Sequence, residues 1–296
     1  MDSRPDASPS PPIVDRLRGK RFGVVLSAGF FGFYGHAGFL KALHAAGLEP
    51  SAWAGSSAGG LIAAHAAAGS SVGEIEALLR KQTRRHFWDP DPVGTLIDAV
   101  KGGHAFSGLL KGDRFRALIE SSLPVRRFED CRTPLLLVAT NLSRARSQVF
   151  TSGELSPAVH ATCAYPGLFR AVRLGGDLFW DGGIVDKAPL VALAESEPGG
   201  NLDAFLVHYL PSRTRDRLSG ALAYAQGLDA GLTAGRHEHF VLQLKVMQAR
   251  GVPVYVITSR LPPVSPKTME REGMLAMDAA EASVARALSS APVPFV

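Results

Sequence analysis

The first apolar run, RFGVVLSAG at residues 21–29, ends in small residues, the pattern of a buried strand entering a tight loop. Residues 35–48 (GHAGFLKALHAAGL) carry apolar positions at helical spacing with a glycine near the end. A short strand at 51–57 (SAWAGSS) and an alanine-rich helix at 58–69, stopped by Gly69, repeat the alternation. Strand, helix, strand, helix at this spacing implies a parallel sheet with crossover helices.

An amphipathic helix is expected over 71–87, then an irregular stretch over 88–111 and a helix over 112–123. PLLLVATNL (134–142) reads as a strand with 146–153 as its neighbour, and 156–169 as a helix broken at Pro166. AVRL and DLFW flank Gly175-Gly176, a hairpin signal. PLVALAES predicts a helix, 204–210 and 252–258 predict strands, and a helical segment closes the chain over 274–289. There is no internal repeat and no linker after residue 19. The expectation is a Pro-, Ser- and Asp-rich disordered leader at 1–19 and one α/β domain over 20–296.

Composition narrows the class. Of 296 residues, 46% are hydrophobic and 20% charged, which is core-forming. Net charge is +5 without a Lys/Arg run, so no clustered basic face marks a nucleic-acid partner. No apolar stretch reaches the ~20 residues of a membrane span, and the N-terminus has no signal-peptide apolar core. The expected place is cytoplasmic, with transient peripheral contact at membranes. The two cysteines, Cys131 and Cys163, can form neither a disulfide framework nor a four-ligand zinc site, and read as buried thiols. No metal or organic cofactor is called for.

Three motifs carry chemistry. Gly55-Ser56-Ser57-Ala58-Gly59 is a G-x-S-x-G between a strand and a helix, the setting of a nucleophile elbow. Gly55 and Gly59 remove Cβ atoms at the sharp turn, and Ser57 then stands at a helix N-terminus that favours developing negative charge. Ser56 lacks that pair of flanking glycines and ranks below it. Ser27-Ala28-Gly29-Phe30-Phe31-Gly32 follows the first strand, and its backbone N–H groups are candidate oxyanion donors, with Ala58 assisting. A dinucleotide loop is disfavoured there, because the G-x-G-x-x-G pattern would need a glycine at 27. Asp181-Gly182-Gly183 puts a carboxylate at the end of an apolar strand, where burial raises its basicity. Asp177 and Asp186 read as turn or cap residues. A histidine triad in the order Ser, acid, His would draw on His208, His237 or His239. His208 lies in an apolar strand and reads as packed core. The segment KQTRRHFW (81–88) mixes basic and aromatic residues, as a solvated helix end or an interfacial anchor does.

Taken together, the glycine-rich loop, the G-x-S-x-G and the D-G-G, in this order, resemble the patatin-like lipolytic acyl hydrolases over about residues 20–210. The resemblance implies a single three-layer domain with a mainly parallel central sheet and helices on both faces. It implies a Ser–Asp dyad, Ser57 as nucleophile and Asp181 as its partner. The loop Gly29, Phe30, Phe31, Gly32 with Ala58 would form the oxyanion hole, and Gly55, Gly59, Gly182 and Gly183 would be the motif glycines. Substrates would be fatty-acyl esters, phospholipids or lysophospholipids foremost. The alternatives are a non-catalytic lipid-binding relative and an acyltransferase using the same acyl-enzyme. Two motifs depart from the pattern. The usual G-G-G-x-[RK]-G lacks its first two glycines and has Phe31 at the basic position, and Lys187 replaces the Asn common after D-G-G-x-x-D.

Overall fold

The computed structural model describes residues 10–101, 107–212 and 223–295. A short helix, α1 (Ile13–Leu17), leads into β1 (Phe22–Leu26), α2 (Phe33–Ala45), β2 (Ala52–Ser56) and α3 (Ala58–Ala68). Next come α4 (Val72–Lys81), α5 (Pro92–Lys101), β3 (Gly108–Leu110) and α6 (Asp113–Ser122). The middle of the chain forms β4 (Leu135–Asn141), β5 (Arg146–Phe150), α7 (Leu155–Thr162), β6 (Gly167–Phe169), β7 (Val172–Leu174) and β8 (Asp177–Trp180). It ends with α8 (Leu190–Glu195), β9 (Ala204–Tyr209), α9 (Ala223–Ala249), β10 (Val254–Thr258) and α10 (Met269–Leu288).

The main sheet runs β10-β9-β1-β2-β4-β8-β7, with β5 also on β4. Its centre, β10 through β4, is parallel, and β5, β8 and β7 join antiparallel. Both faces of the parallel strands are covered, so their side chains divide by twos. Val24, Leu26, Leu135, Leu137 and Leu206 enter a core shared with α2, α3, α4 and α10. Val25, Leu136, Val138, Phe205 and Val207 enter a second core with α8 and with Phe240 and Met247 of α9. The result is helix, sheet, helix in three layers. A small separate pairing, β3 with β6, lies outside the main sheet. No described helix is long and apolar enough to cross a membrane.

Four expectations change, one being the helix expected over 156–169, which ends at Thr162, with Gly167–Phe169 forming β6. The leader is ordered from at least Ile13: α1 buries Ile13 and Leu17, and the Ile13 N–H donates to Ser290 O at 3.0 Å. Residues 1–9 lie outside the described residues. The helix expected to reach 87 stops at Lys81. It starts on a capping box, Ser71 with Glu74, and buries Ile75 and Leu79, but no apolar residue falls at 82, 83 or 86 to prolong the stripe. Arg84–His86 form a separate 3-10 turn. The stretch 88–111 is not irregular throughout: Asp91 accepts the Gly94 N–H at 3.0 Å and starts α5 with Pro92 in its first turn, and β3 follows.

If α1 is docked as described, removing its buried anchor leaves a cavity. Leu17→Ala should cost about 3 kcal/mol in urea unfolding. A change no larger than that of an exposed substitution would mean that α1 contributes nothing to the core.

Candidate active site

The pairing of β4 brings two distant segments together. Val138 is paired with Ser56 on one edge and Val149 on the other, and Thr140 with Trp180 and Ser147. β5 thus holds one edge of β4, while β2 and β8 share the other and run toward each other. The chain leaves β2 at Ser57 and β8 at Asp181. Ser57 Oγ donates to Asp181 Oδ2 at 2.6 Å.

The approach demands small residues. A Cβ at Gly182 would lie 2.0 Å from the Val138 carbonyl oxygen, and one at Gly59 would lie 2.2 Å from Leu26 O, where α3 crosses β1. A Cβ at Gly55 would lie 2.6 Å from Gly59. Ser57 itself sits at φ 53°, ψ −126°, a conformation that costs a non-glycine residue about 1–3 kcal/mol. Its N–H donates to Thr162 Oγ1 at 2.9 Å, and the Thr162 hydroxyl donates onward to Val138 O. Cys163 Sγ donates to Ser57 O at 3.2 Å. The turn is therefore held from α7 as well as by its own glycines.

Asp181 is buried. Its Oδ1 accepts the Gly183 N–H at 2.7 Å, and its carbonyl accepts the Thr140 hydroxyl at 2.8 Å. Burial pushes its carboxyl up to about 6, against the hydrogen bonds from Ser57 and Gly183 and the charge of Arg236, which pull it down. Arg236 of α9 lies with Nη1 3.4 Å from Gly183 O. Nothing local in the sequence marks it, because α9 reaches the site only through the fold. Lys187 is also buried: Nζ donates to Ser212 Oγ at 2.8 Å and lies 4.5 Å from the Tyr209 ring centre. Burial, with Arg236 nearby, lowers its ammonium to about 7. The Lys187 carbonyl accepts the Ala28 N–H at 2.7 Å and so ties this segment to the glycine-rich loop.

In that loop Phe31 adopts φ 54° and the Gly32 N–H donates back to Gly29 O at 2.9 Å. Gly32 is thus a turn residue, and its amide is engaged rather than free for an oxyanion. The N–H groups of Gly29, Phe30 and Phe31 donate to no group among the described residues. Ala58 opens α3, where an N–H has no intrahelical partner. Phe30 is 54% exposed and lies 5.7 Å, ring to ring, from Tyr165.

None of the histidines bonds to Ser57 or Asp181 among the described contacts. His208 is fully buried, with Nδ1 2.9 Å from His36 Nδ1 and Nε2 3.0 Å from Ser259 Oγ. His237 meets Tyr209 Oη at 3.0 Å, and His239 lies 3.9 Å from Asp186. Ser56 is buried beside Gly182, with its hydroxyl unpartnered and no bond to Asp181. Asp177 pairs with Arg144 at 2.7 Å and Asp186 accepts from Gln243 at 2.9 Å, both structural. Of the two thiols, Cys163 is buried and Cys131 only partly so. No cluster of three metal-ligating side chains occurs among the described residues.

A family model described as Patatin-like phospholipase matches residues 24–194, more than half of the chain. The chain belongs to the patatin-like phospholipase family. An uncharacterized NTE family protein of Mycobacterium tuberculosis is 28% identical over 62% of this chain and 49% of its own length. Lysophospholipase NTE1 of Cryptococcus neoformans is 26% identical over 62% of this chain and 11% of its own. The chain thus spans about half the length, or less, of these relatives. Among solved structures, VipD from Legionella pneumophila gives a TM-score of 0.48 at 13% identity, covering 98% of this chain and 70% of that one. The type III effector protein ExoU gives 0.39 at 15%, over 94% of this chain and 53% of that one. The matched span of the patatin-like family contains both Ser57 and Asp181.

The buried carboxyl makes a stability prediction for this patatin-like chain. A folded-state pKa raised from 3.8 to about 6 contributes stability that is complete below 3.8 and is lost as pH rises through 6. Between pH 4 and pH 8 this loss is about 2 kcal/mol. Asp181→Asn should remove that share of the pH dependence, so that the variant gains on wild type as pH rises. Urea unfolding of both proteins across the range measures it; parallel curves would show that Asp181 is not the raised carboxyl.

Proposed function

We propose that this protein is a serine acyl hydrolase that cleaves fatty-acyl carboxylic esters through a Ser57 acyl-enzyme. The observation that carries the reading is the 2.6 Å hydrogen bond from Ser57 Oγ to a buried carboxylate, with no histidine bonded to either residue among the described residues. Asp181 accepts the Ser57 proton as Oγ attacks the ester carbonyl. The amides of Gly29, Phe30 and Phe31, with Ala58, are the donors for the oxyanion, each worth about 3 kcal/mol in the transition state. The alcohol or lysolipid leaves with the proton, and Asp181 then activates the water that releases the fatty acid. The exposed Phe30 and its neighbour Tyr165 suit an apolar acyl chain. The likeness to a protein named a lysophospholipase supports phospholipid or lysophospholipid esters as the substrate class.

A fluorophosphonate probe followed by peptide mapping tests the nucleophile. Label is expected on Ser57 in wild type, and neither Ser57→Ala nor Asp181→Asn should take it up. Esterase activity should fall by roughly three orders of magnitude or more in each variant. Label on Ser56, or full activity in Ser57→Ala, would overturn the assignment. Because the base must be ionised, kcat/KM on a soluble ester should rise through about pH 6 and level off above it. Transfer of the acyl group to added lysolipid in preference to water would make the protein an acyltransferase instead.

A further inference from the structure

The chain between α4 and β3 carries a surface that the proposed reaction does not use. On α5, Val93, Leu96, Ile97 and Val100 are 68%, 68%, 47% and 83% exposed. Their spacing is that of a single helical stripe. Four large apolar side chains in one exposed stripe mark an interaction face, unlike singly scattered ones.

The same segment supplies positive charge. Thr83, Arg84, Arg85, Trp88, Arg114 and Glu270 line an open cavity of about 570 Å³. The Arg84 guanidinium lies 3.6 Å from the Trp88 ring centre, and its Nε has no hydrogen-bond partner. Arg114 Nη1 donates to the carbonyls of Arg85 and Trp88 at 3.2 and 3.1 Å, which fixes the third guanidinium at the cavity. Among the described residues none of these three arginines is ion-paired. Glu270 is the opposing charge, so the lining stays net positive.

Both features are anchored to the frame of the candidate site. Phe87 lies 6.0 Å, ring to ring, from Phe31 of the glycine-rich loop. Asp91, at the start of α5, is held by Arg170 at 3.1 Å, five residues beyond Tyr165.

We propose that this face docks the protein on an anionic lipid surface. The α5 stripe enters the interface, and Arg84, Arg85 and Arg114 take the phosphate groups of acidic lipids. An exposed apolar stripe, together with arginines that have no ion pair among the described residues, matches an acidic membrane in both parts, whereas a second copy of the chain would bring like charge to the same cavity. The purpose of docking rests on the reading of Ser57 as a lipid esterase; the docking itself does not.

The test is co-sedimentation of the full chain with phosphatidylcholine vesicles prepared with and without phosphatidylglycerol. Wild type should bind the acidic vesicles preferentially, and added salt should weaken binding. Leu96→Asp with Val100→Asp, and separately Arg84→Glu with Arg85→Glu, should each weaken it by at least about tenfold. Both should still hydrolyse a soluble short-chain ester at the wild-type rate. Leu96→Ala with Val100→Ala keeps helix propensity and should show a smaller loss in the same direction, which separates docking from misfolding. No binding by folded wild type, equal binding to both vesicles, or binding that none of the variants reduces would overturn the proposal. So would a dimer in light scattering that Leu96→Asp disperses, since the stripe would then belong to a second copy. Binding is read without turnover, so an inactive Ser57 that still docks, and an active Ser57 that does not, fail different claims.

Discussion

The hydrogen bond from Ser57 to the buried Asp181 carboxylate is the constraint around which the rest of the site is arranged. A carboxylate away from water must be satisfied by nearby donors. Asp181 has two, the Ser57 hydroxyl at 2.6 Å and the Gly183 N–H at 2.7 Å. Both depend on β2 and β8 meeting on one edge of β4, with Gly182 passing over the Val138 carbonyl where no Cβ fits. The antiparallel β8 is one of the departures from a purely parallel sheet, and it is what carries an acid at residue 181 back to a serine at residue 57.

Strain at the site is held by packing from outside it. Ser57 and Phe31 both adopt positive φ without being glycine. Thr162 fixes the first by accepting the Ser57 N–H and donating to Val138 O. Phe31 is fixed differently, by ring contacts with Phe30, Phe33 and Phe87. A left-handed conformation costs an L-residue roughly 1–2 kcal/mol. Burial of one phenylalanine can offset that.

Much of this was legible in the sequence, and the limits are physical. The parallel core read correctly because two-sided burial makes PLLLVATNL and AFLVHYL unmistakably apolar. The Gly55–Gly59 pentapeptide and Asp181-Gly182-Gly183 were legible because close backbone approach requires glycine at fixed offsets. Arg236 and Thr162 were not, because each reaches the site through tertiary packing and leaves no spacing signature. α5 was missed for another reason. Its apolar stripe has helical spacing, but the prolines and glycines around it read as loop. α1 was lost in a Pro- and Ser-rich context, although Ile13 and Leu17 stand one helical turn apart.

The dyad also bears on why a histidine is dispensable in the proposed reaction. Imidazole serves as a base near neutral pH because its ordinary pKa is about 6.5. An exposed aspartate, near 3.9, is too weak a base to match it. Burial raises Asp181 to about 6, which closes most of that gap with the fold alone. Arg236 works against this by favouring the ionised carboxylate, and the bonds from Ser57 and Gly183 do the same. The balance suits a base that must be ionised at rest yet accept a proton during attack: desolvation supplies the basicity, and the nearby charge and donors keep it from staying protonated. His36 and His208, by contrast, are buried against each other and held neutral, with burial lowering both. Those two imidazoles are thereby committed to the core, and in the proposed reaction the base is the carboxylate.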